Sequence, residues 1–350
     1  MKYRLFTALM LLASSAQAET TFYGQVNKLL LWSDDVNGDR VVVSDNAVSS
    51  TRFGFKAEHE VGAGLTASVL LEGELDDNDR SRSTDNTTID APSAAPAGFE
   101  ERHARVGLSG DYGTLLLGRT STATDGITEL DTGGTTDIMY SDLAAIGGGL
   151  DANPTGTTDS FNTHYSNLEG VALNSSDRVN LVRYDTPVFN GLQAAAAFAN
   201  GGDFDLALRY NGKVDDFTIR AGLGYVNLNQ SGALGEVTQW SGSISAKHAS
   251  GVNFTLGYGE RDVDNSALEP EMIYAKLGYD VGRWAFAADY GSAENVAVQG
   301  VEAFSYGLGA QYNFTSGVAS GLLLRQLEID RPGVNNDPVR LVGLSLRVKF

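Results

Sequence analysis

From Val342 to Phe350 the chain alternates without exception. Val342, Leu344, Leu346, Val348 and Phe350 are apolar, and Gly343, Ser345, Arg347 and Lys349 lie between them. Such alternation gives a strand with one apolar and one polar face. The same pattern predicts a strand around Ser50–Glu58, with Arg52, Lys56 and Glu58 on one face and Phe53, Phe55 and Ala57 on the other. Tight turns are predicted at 61–64, 110–113, 189–191, 214–216, 250–251, 281–283 and 315–317, where Gly, Asp and Asn cluster. The segments between them, roughly 33–46, 76–98, 122–177, 201–203, 230–236, 264–270, 295–300 and 331–338, read as polar, acidic loops. Eight loops alternating with seven turns connect sixteen strands, and an even count lets the first strand meet the last. Short turns at one rim and longer loops at the other mark a closed antiparallel transmembrane β-barrel. Closure matters because an open sheet edge in lipid leaves backbone groups unpaired, at several kcal/mol each. Trp32, Trp240, Tyr258, Tyr279, Trp284 and Tyr312 fall near strand ends, where interfacial girdles would sit.

The N-terminus changes the compartment rather than the fold. Lys2 and Arg4 precede a short apolar run ending Ala16-Gln17-Ala18, the pattern of a secretory signal peptide with cleavage after Ala18. Residues 1–18 are thus expected to be the signal and 19–350 the barrel domain, and losing the two bases takes the formal charge from −19 to −21. That acidity excludes nucleic acid as a partner, since phosphate binding needs a basic face. There is no cysteine, so neither bridges nor thiol chemistry enter. Beyond the signal no apolar run is long enough for a spanning helix. The mean hydropathy of −0.15 fits alternating strands, whose two faces cancel in an average.

Several ordered stretches resemble the general diffusion porins of the Gram-negative outer membrane. These are Phe22–Asn27, Ser50–Lys56, Arg105–Gly110 with Tyr112-Gly113 and Leu117–Arg119, Arg178–Asn180 with Arg183–Pro187, and the terminal Phe350. The resemblance implies a 16-stranded barrel with a long third loop folded into the pore, passing small hydrophilic solutes and ions by passive diffusion. Residue by residue it implies a basic wall of Arg52, Arg105, Arg119 and Arg178, with Arg183 as the alternative to Arg178. The longest loop, 122–177, supplies Asp125, Glu129, Asp131 and Asp137 as constriction acids. Gln25 stands where the family often has lysine, which would tilt the balance mildly toward cations. The family further implies a homotrimer packed through the early strands and loop 76–98, outer-membrane lipid and lipopolysaccharide as surroundings, and Phe350 as the signal read by the barrel assembly machinery. It offers no account of the Gly-, Thr- and Asn-rich stretch 147–174.

Enzymatic and metal chemistry find little support. The four histidines, His59, His103, His164 and His248, lie in no catalytic motif, and His103 shares a face with Arg105. Asp35, Asn37 and Asp39 alternate as calcium ligands do, but the glycine and distal glutamate of an EF-hand are missing. No cofactor or metal site is expected. The rival functions are a substrate-tuned porin, an outer-membrane barrel hydrolase and a soluble β-sandwich binder. The last needs two sheets packed on an apolar core, whereas these strands leave one face charged.

Overall fold

The computed structural model describes residues 19–76, 98–153, 159–168, 178–199, 201–229 and 235–350. The signal segment 1–18 and most of the second loop, 77–97, lie outside these residues, as do 154–158 and 169–177 of the third loop. The described residues hold seventeen strands in one antiparallel sheet. In chain order they are β1 (Glu19–Asp35), β2 (Gly38–Asp45), β3 (Arg52–Gly62), β4 (Leu65–Asp76), β5 (Gly98–Gly110), β6 (Gly113–Ser121), β7 (Arg178–Asp185) and β8 (Leu192–Ala199). The second half comprises β9 (Phe204–Val214), β10 (Phe217–Asn229), β11 (Glu236–His248), β12 (Val252–Val263), β13 (Glu271–Val281), β14 (Trp284–Glu294), β15 (Glu302–Asn313), β16 (Val318–Asp330) and β17 (Val339–Lys349).

Each strand from β3 onward pairs with the next, and β17 returns to β1 from Gln25↔Lys349 to Asp34↔Arg340, closing a barrel. The other edge of β1 is shared: its loop half pairs with β2 and its turn half with β3. β2 and β3 therefore form one stave broken at 46–51, giving sixteen staves with one extra strand. This corrects the reading of 33–46 as a polar loop. Asn37 and Gly38 (φ 94°) reverse the chain into a hairpin, where Asp35 holds the Asn37 N–H at 2.9 Å and pairs with Arg40. The calcium-like spacing of Asp35, Asn37 and Asp39 is thus turn chemistry.

Alternation sets the two faces. On β17, Leu344 and Leu346 are 50% and 53% exposed on the outside, whereas Ser345 is 3% exposed on the inside. The outward row is the surface a bilayer would cover, at roughly 25 cal/mol per Å² of apolar area. At the seam, Gly24 and Phe350 exchange two backbone hydrogen bonds of 3.0 Å. The Phe350 ring lies over Gly24, where a Cβ would sit 2.6 Å from a ring carbon, so only glycine permits this approach.

Candidate functional site: the lumen and the third loop

The third loop leaves β6 and runs along the inner wall instead of outward. Thr124 donates its N–H and its hydroxyl to Asp205 of β9 at 2.6 and 2.7 Å. On β11, Ser243 donates to the Ile127 carbonyl (2.7 Å) while Ser245 accepts the Thr132 N–H (2.9 Å). Farther on, Gly134 N–H meets Asp280 of β13, and Asp137 meets Gln311 of β15 and Arg347 of β17. Inward glycines leave room for this passage. A Cβ on Gly222, Gly291, Gly309 or Gly321 would collide with Ile127, Leu143, Met139 or Ile138 respectively. The loop is bedded on bare backbone.

Part of the barrel interior is consequently apolar. Ile138, Met139, Leu143, Ile146, Leu150, Phe161 and Leu168 of the loop pack with Leu29, Leu31, Met272, Leu323, Leu327 and Leu341 of the wall into one buried apolar cluster. Alternation alone predicts a polar interior here. The signal to the contrary is the unbroken Leu29-Leu30-Leu31 and Leu322-Leu323-Leu324, where both faces of a strand are apolar. The far end of the described loop is tied to the last loop. Asp159 pairs with His164, accepts from Asn336 (3.0 Å) and faces Arg331 (3.4 Å), while Asp337 N–H donates to the Ala152 carbonyl (2.8 Å). Burial raises the Asp159 carboxyl, but these donors outweigh it and hold the group below its ordinary range.

The four loop acids are placed as follows. Asp125 faces Arg178 at 3.5 Å, and Arg209 donates to its carbonyl at 2.8 Å. Glu129 accepts from Asn167 at 3.4 Å. Asp131 forms a fully buried pair with Lys276, which also donates to Thr135 (3.2 Å). Asp137 pairs with Arg347; burial pushes its carboxyl up, opposed by that guanidinium.

Of the wall bases, Arg52 and Arg105 point inward as expected, and His103 lies beside them, its Nδ1 3.1 Å from the Thr120 hydroxyl. Arg52 stands 3.9 Å from Glu72. Arg105 Nη1 is buried with no hydrogen-bond partner among the described residues. Arg178 reaches the lumen through Asp125, and Arg183 does so too, donating to the Thr122 carbonyl at 2.7 Å. Arg119 is placed otherwise. It shares the face of Leu115 and Leu117, both outward, and donates to the Glu101 carbonyl at 2.8 Å, so it leaves the wall.

Sequence reasoning missed Arg102. A β-bulge opposite Glu72 and Gly73 inserts this residue, so alternation counted from Arg105 sends it outward. In the structure it forks inward across Glu72 (2.8 Å) and Glu74 (2.6 Å). Arg209, Arg220, Lys276 and Arg347 were also missed, although each lies on the inward parity of its strand, the signal that could have found them. Gln25 is no substitute for a wall charge. Its amide donates to the Ser49 carbonyl and hydroxyl and to the Ser50 carbonyl, at 3.0, 2.8 and 2.8 Å.

The chain is similar to known proteins along most of its length. It is 29% identical over 194 residues to outer membrane porin protein 32 of Delftia acidovorans, a match spanning 53% of this chain and 45% of that relative. Its fold is similar to an anion-selective porin from Comamonas acidovorans (TM-score 0.66, 19% identity, 95% of this chain and 100% of that one). It is also similar to OmpT of Vibrio cholerae in a trimer form (TM-score 0.58, 15% identity, 95% and 99% covered). A family model described as Gram-negative porin matches residues 6–330, and with the closed barrel and its charged lumen this identifies the chain as a member of the Gram-negative porin family, located in the outer membrane.

Proposed function

We propose that the lumen is a path for passive diffusion of small hydrophilic solutes and ions, that residues 122–153 narrow it, and that it prefers anions. One observation carries the preference: carboxylates of the loop are paired to wall bases, whereas several arginines face the path without a carboxylate of their own. Asp125, Asp131 and Asp137 meet Arg178, Lys276 and Arg347. Arg209 and Arg220 donate to the backbone carbonyls of Asp125 and Asp131 rather than to a carboxylate, and Arg105 Nη1 has no hydrogen-bond partner among the described residues. In a narrow lumen such charges stay close to the permeating ion and are little screened. The mild cation preference expected from sequence rested on Gln25 standing where the family often has lysine. The anion selectivity stated for the Comamonas porin agrees with the revised reading.

The rest of the reading follows the family. The protein works as a channel rather than an enzyme, is exported with cleavage after Ala18, assembles as a homotrimer among outer-membrane lipid and lipopolysaccharide, and presents Phe350 to the barrel assembly machinery. The test is reversal potential across planar bilayers in a concentrated salt gradient. Arg105→Gln with Arg209→Gln should move it toward the cation side. An unchanged reversal potential in concentrated salt would show that these arginines do not form the filter.

A further inference from the structure

The stave shared by β2 and β3 is broken on the lumen side of the barrel. Gln25 and Asn27 are inward residues of β1, as the outward exposure of Val26 shows, and both reach over the break. Gln25 holds the carbonyls of Ser49 and Ser50, and Asn27 donates to Ser49 O at 2.9 Å. Ser50 donates its hydroxyl to Glu74 at 2.5 Å, and Glu74 is held in turn by the bulged Arg102. Val48 packs on the apolar cluster inside the barrel. Asn46 donates its amide to the Asp137 carbonyl at 2.9 Å, so the break touches the third loop itself. Ser49 Oγ accepts from Arg52 at 3.3 Å.

We infer that residues 46–51 are a second narrowing element of the pore, which borders the solute path at Ser49 beside Arg52 and buttresses the third loop through Asn46. The inference rests on the lumen being the path. A chain that merely joined two strands would not need two side chains of β1 to hold its carbonyls. A buried polar amide is retained where its bonds are satisfied, and Gln25 satisfies its donors wholly on this segment. The element therefore adds to the constriction without carrying charge of its own, and Ser49 sets local bore next to a fixed guanidinium.

Because the chain lacks cysteine, Ser49→Cys supplies one addressable thiol. In bilayers, single channels of this variant should lose conductance stepwise on adding a methanethiosulfonate reagent. A sulfonate-bearing reagent should also shift the reversal potential toward cations and a trimethylammonium-bearing one toward anions. Complete modification by mass spectrometry with unchanged conductance and reversal potential would overturn the inference, as would a thiol that stays unmodified while a control cysteine at exposed Asp216 reacts. A variant that forms no channels, when Ser49→Ala forms them normally, would mean the position tolerates no thiol. Asn46→Ala then decides: more open-channel noise supports the buttress, and parental traces refute it. Absence of any conductance in the parent protein would strike at the diffusion reading instead.

Discussion

Replacing Lys276 by Met tests how the third loop is anchored. Lys276 is 0% and Asp131 3% exposed as side chains, so solvent screens neither. Removing one member of a buried pair strands the other charge, at about 3–5 kcal/mol. The loss falls on loop docking, because the strand ladder of β13 does not pass through the Lys276 amine. The amine's weaker bonds to Thr135 and the Met139 carbonyl, at 3.2 and 3.4 Å, go with it. At 1.36 kcal/mol per decade, the opened state of the loop should become roughly 10²- to 10⁴-fold more populated. Hydrogen exchange with mass spectrometry on peptides covering 131–139 reads this directly, with β13 peptides as the internal control. The double variant Lys276→Met with Asp131→Asn should recover most of the protection, since no unpaired charge remains. Equal exchange in the single and double variants would refute the argument, and so would equal loss in β13 itself.

Two further outcomes follow from the same wall. Gly309→Leu places a side chain where Met139 lies, so the loop should lift from its bed and single-channel conductance should rise; a conductance equal to the parent's would show that the loop does not limit flow. Asp137 has its folded pKa raised by burial, so its protonated form favours docking, and its contribution is present in acid and fades as pH rises through the raised value. As pH falls this carboxyl should protonate ahead of an ordinary one, removing a negative charge from the lumen and deepening anion preference. Asp137→Asn should abolish that part of the pH response in reversal potential, and an intact response would place its source elsewhere.

Period-two alternation made the barrel legible, and the seven short turns fall where Gly, Asn and Asp predict them. Asn190 and Gly191 take φ of 50° and 84°, the mirror-image turn that suits hairpins. The first hairpin carried an equally good Asn37-Gly38 signal, but the surrounding acids disguised it as a loop. Faces were legible only where the ladder is regular. One bulged residue hid Arg102, and the family resemblance put Arg119 on the wall although it shares the parity of the apolar Leu115 and Leu117. The partners of the loop acids were not legible at all, because Asp131 follows β6 and Lys276 lies on β13, with six strands between them in the chain. No local pattern encodes such a pairing, whereas the leucine triplets on β1 and β16 did announce an apolar interior.

The third loop is translated before almost everything it rests on. It leaves the chain after β6, yet its bed is made of β9 through β17 and, past the seam, of β1. No partial barrel offers the whole of that bed, so Ile138, Met139, Leu143 and Phe161, which cluster with residues of β1, β16 and β17, lack part of their cover until the final strand has paired. Contacts this distant in sequence form late, and apolar side chains left waiting are what makes a transit form sticky. The timetable of synthesis thus imposes an order on maturation: the wall closes first, and the loop beds down inside it afterwards. A precursor escorted across an aqueous compartment must be shielded along this stretch as much as along its strands.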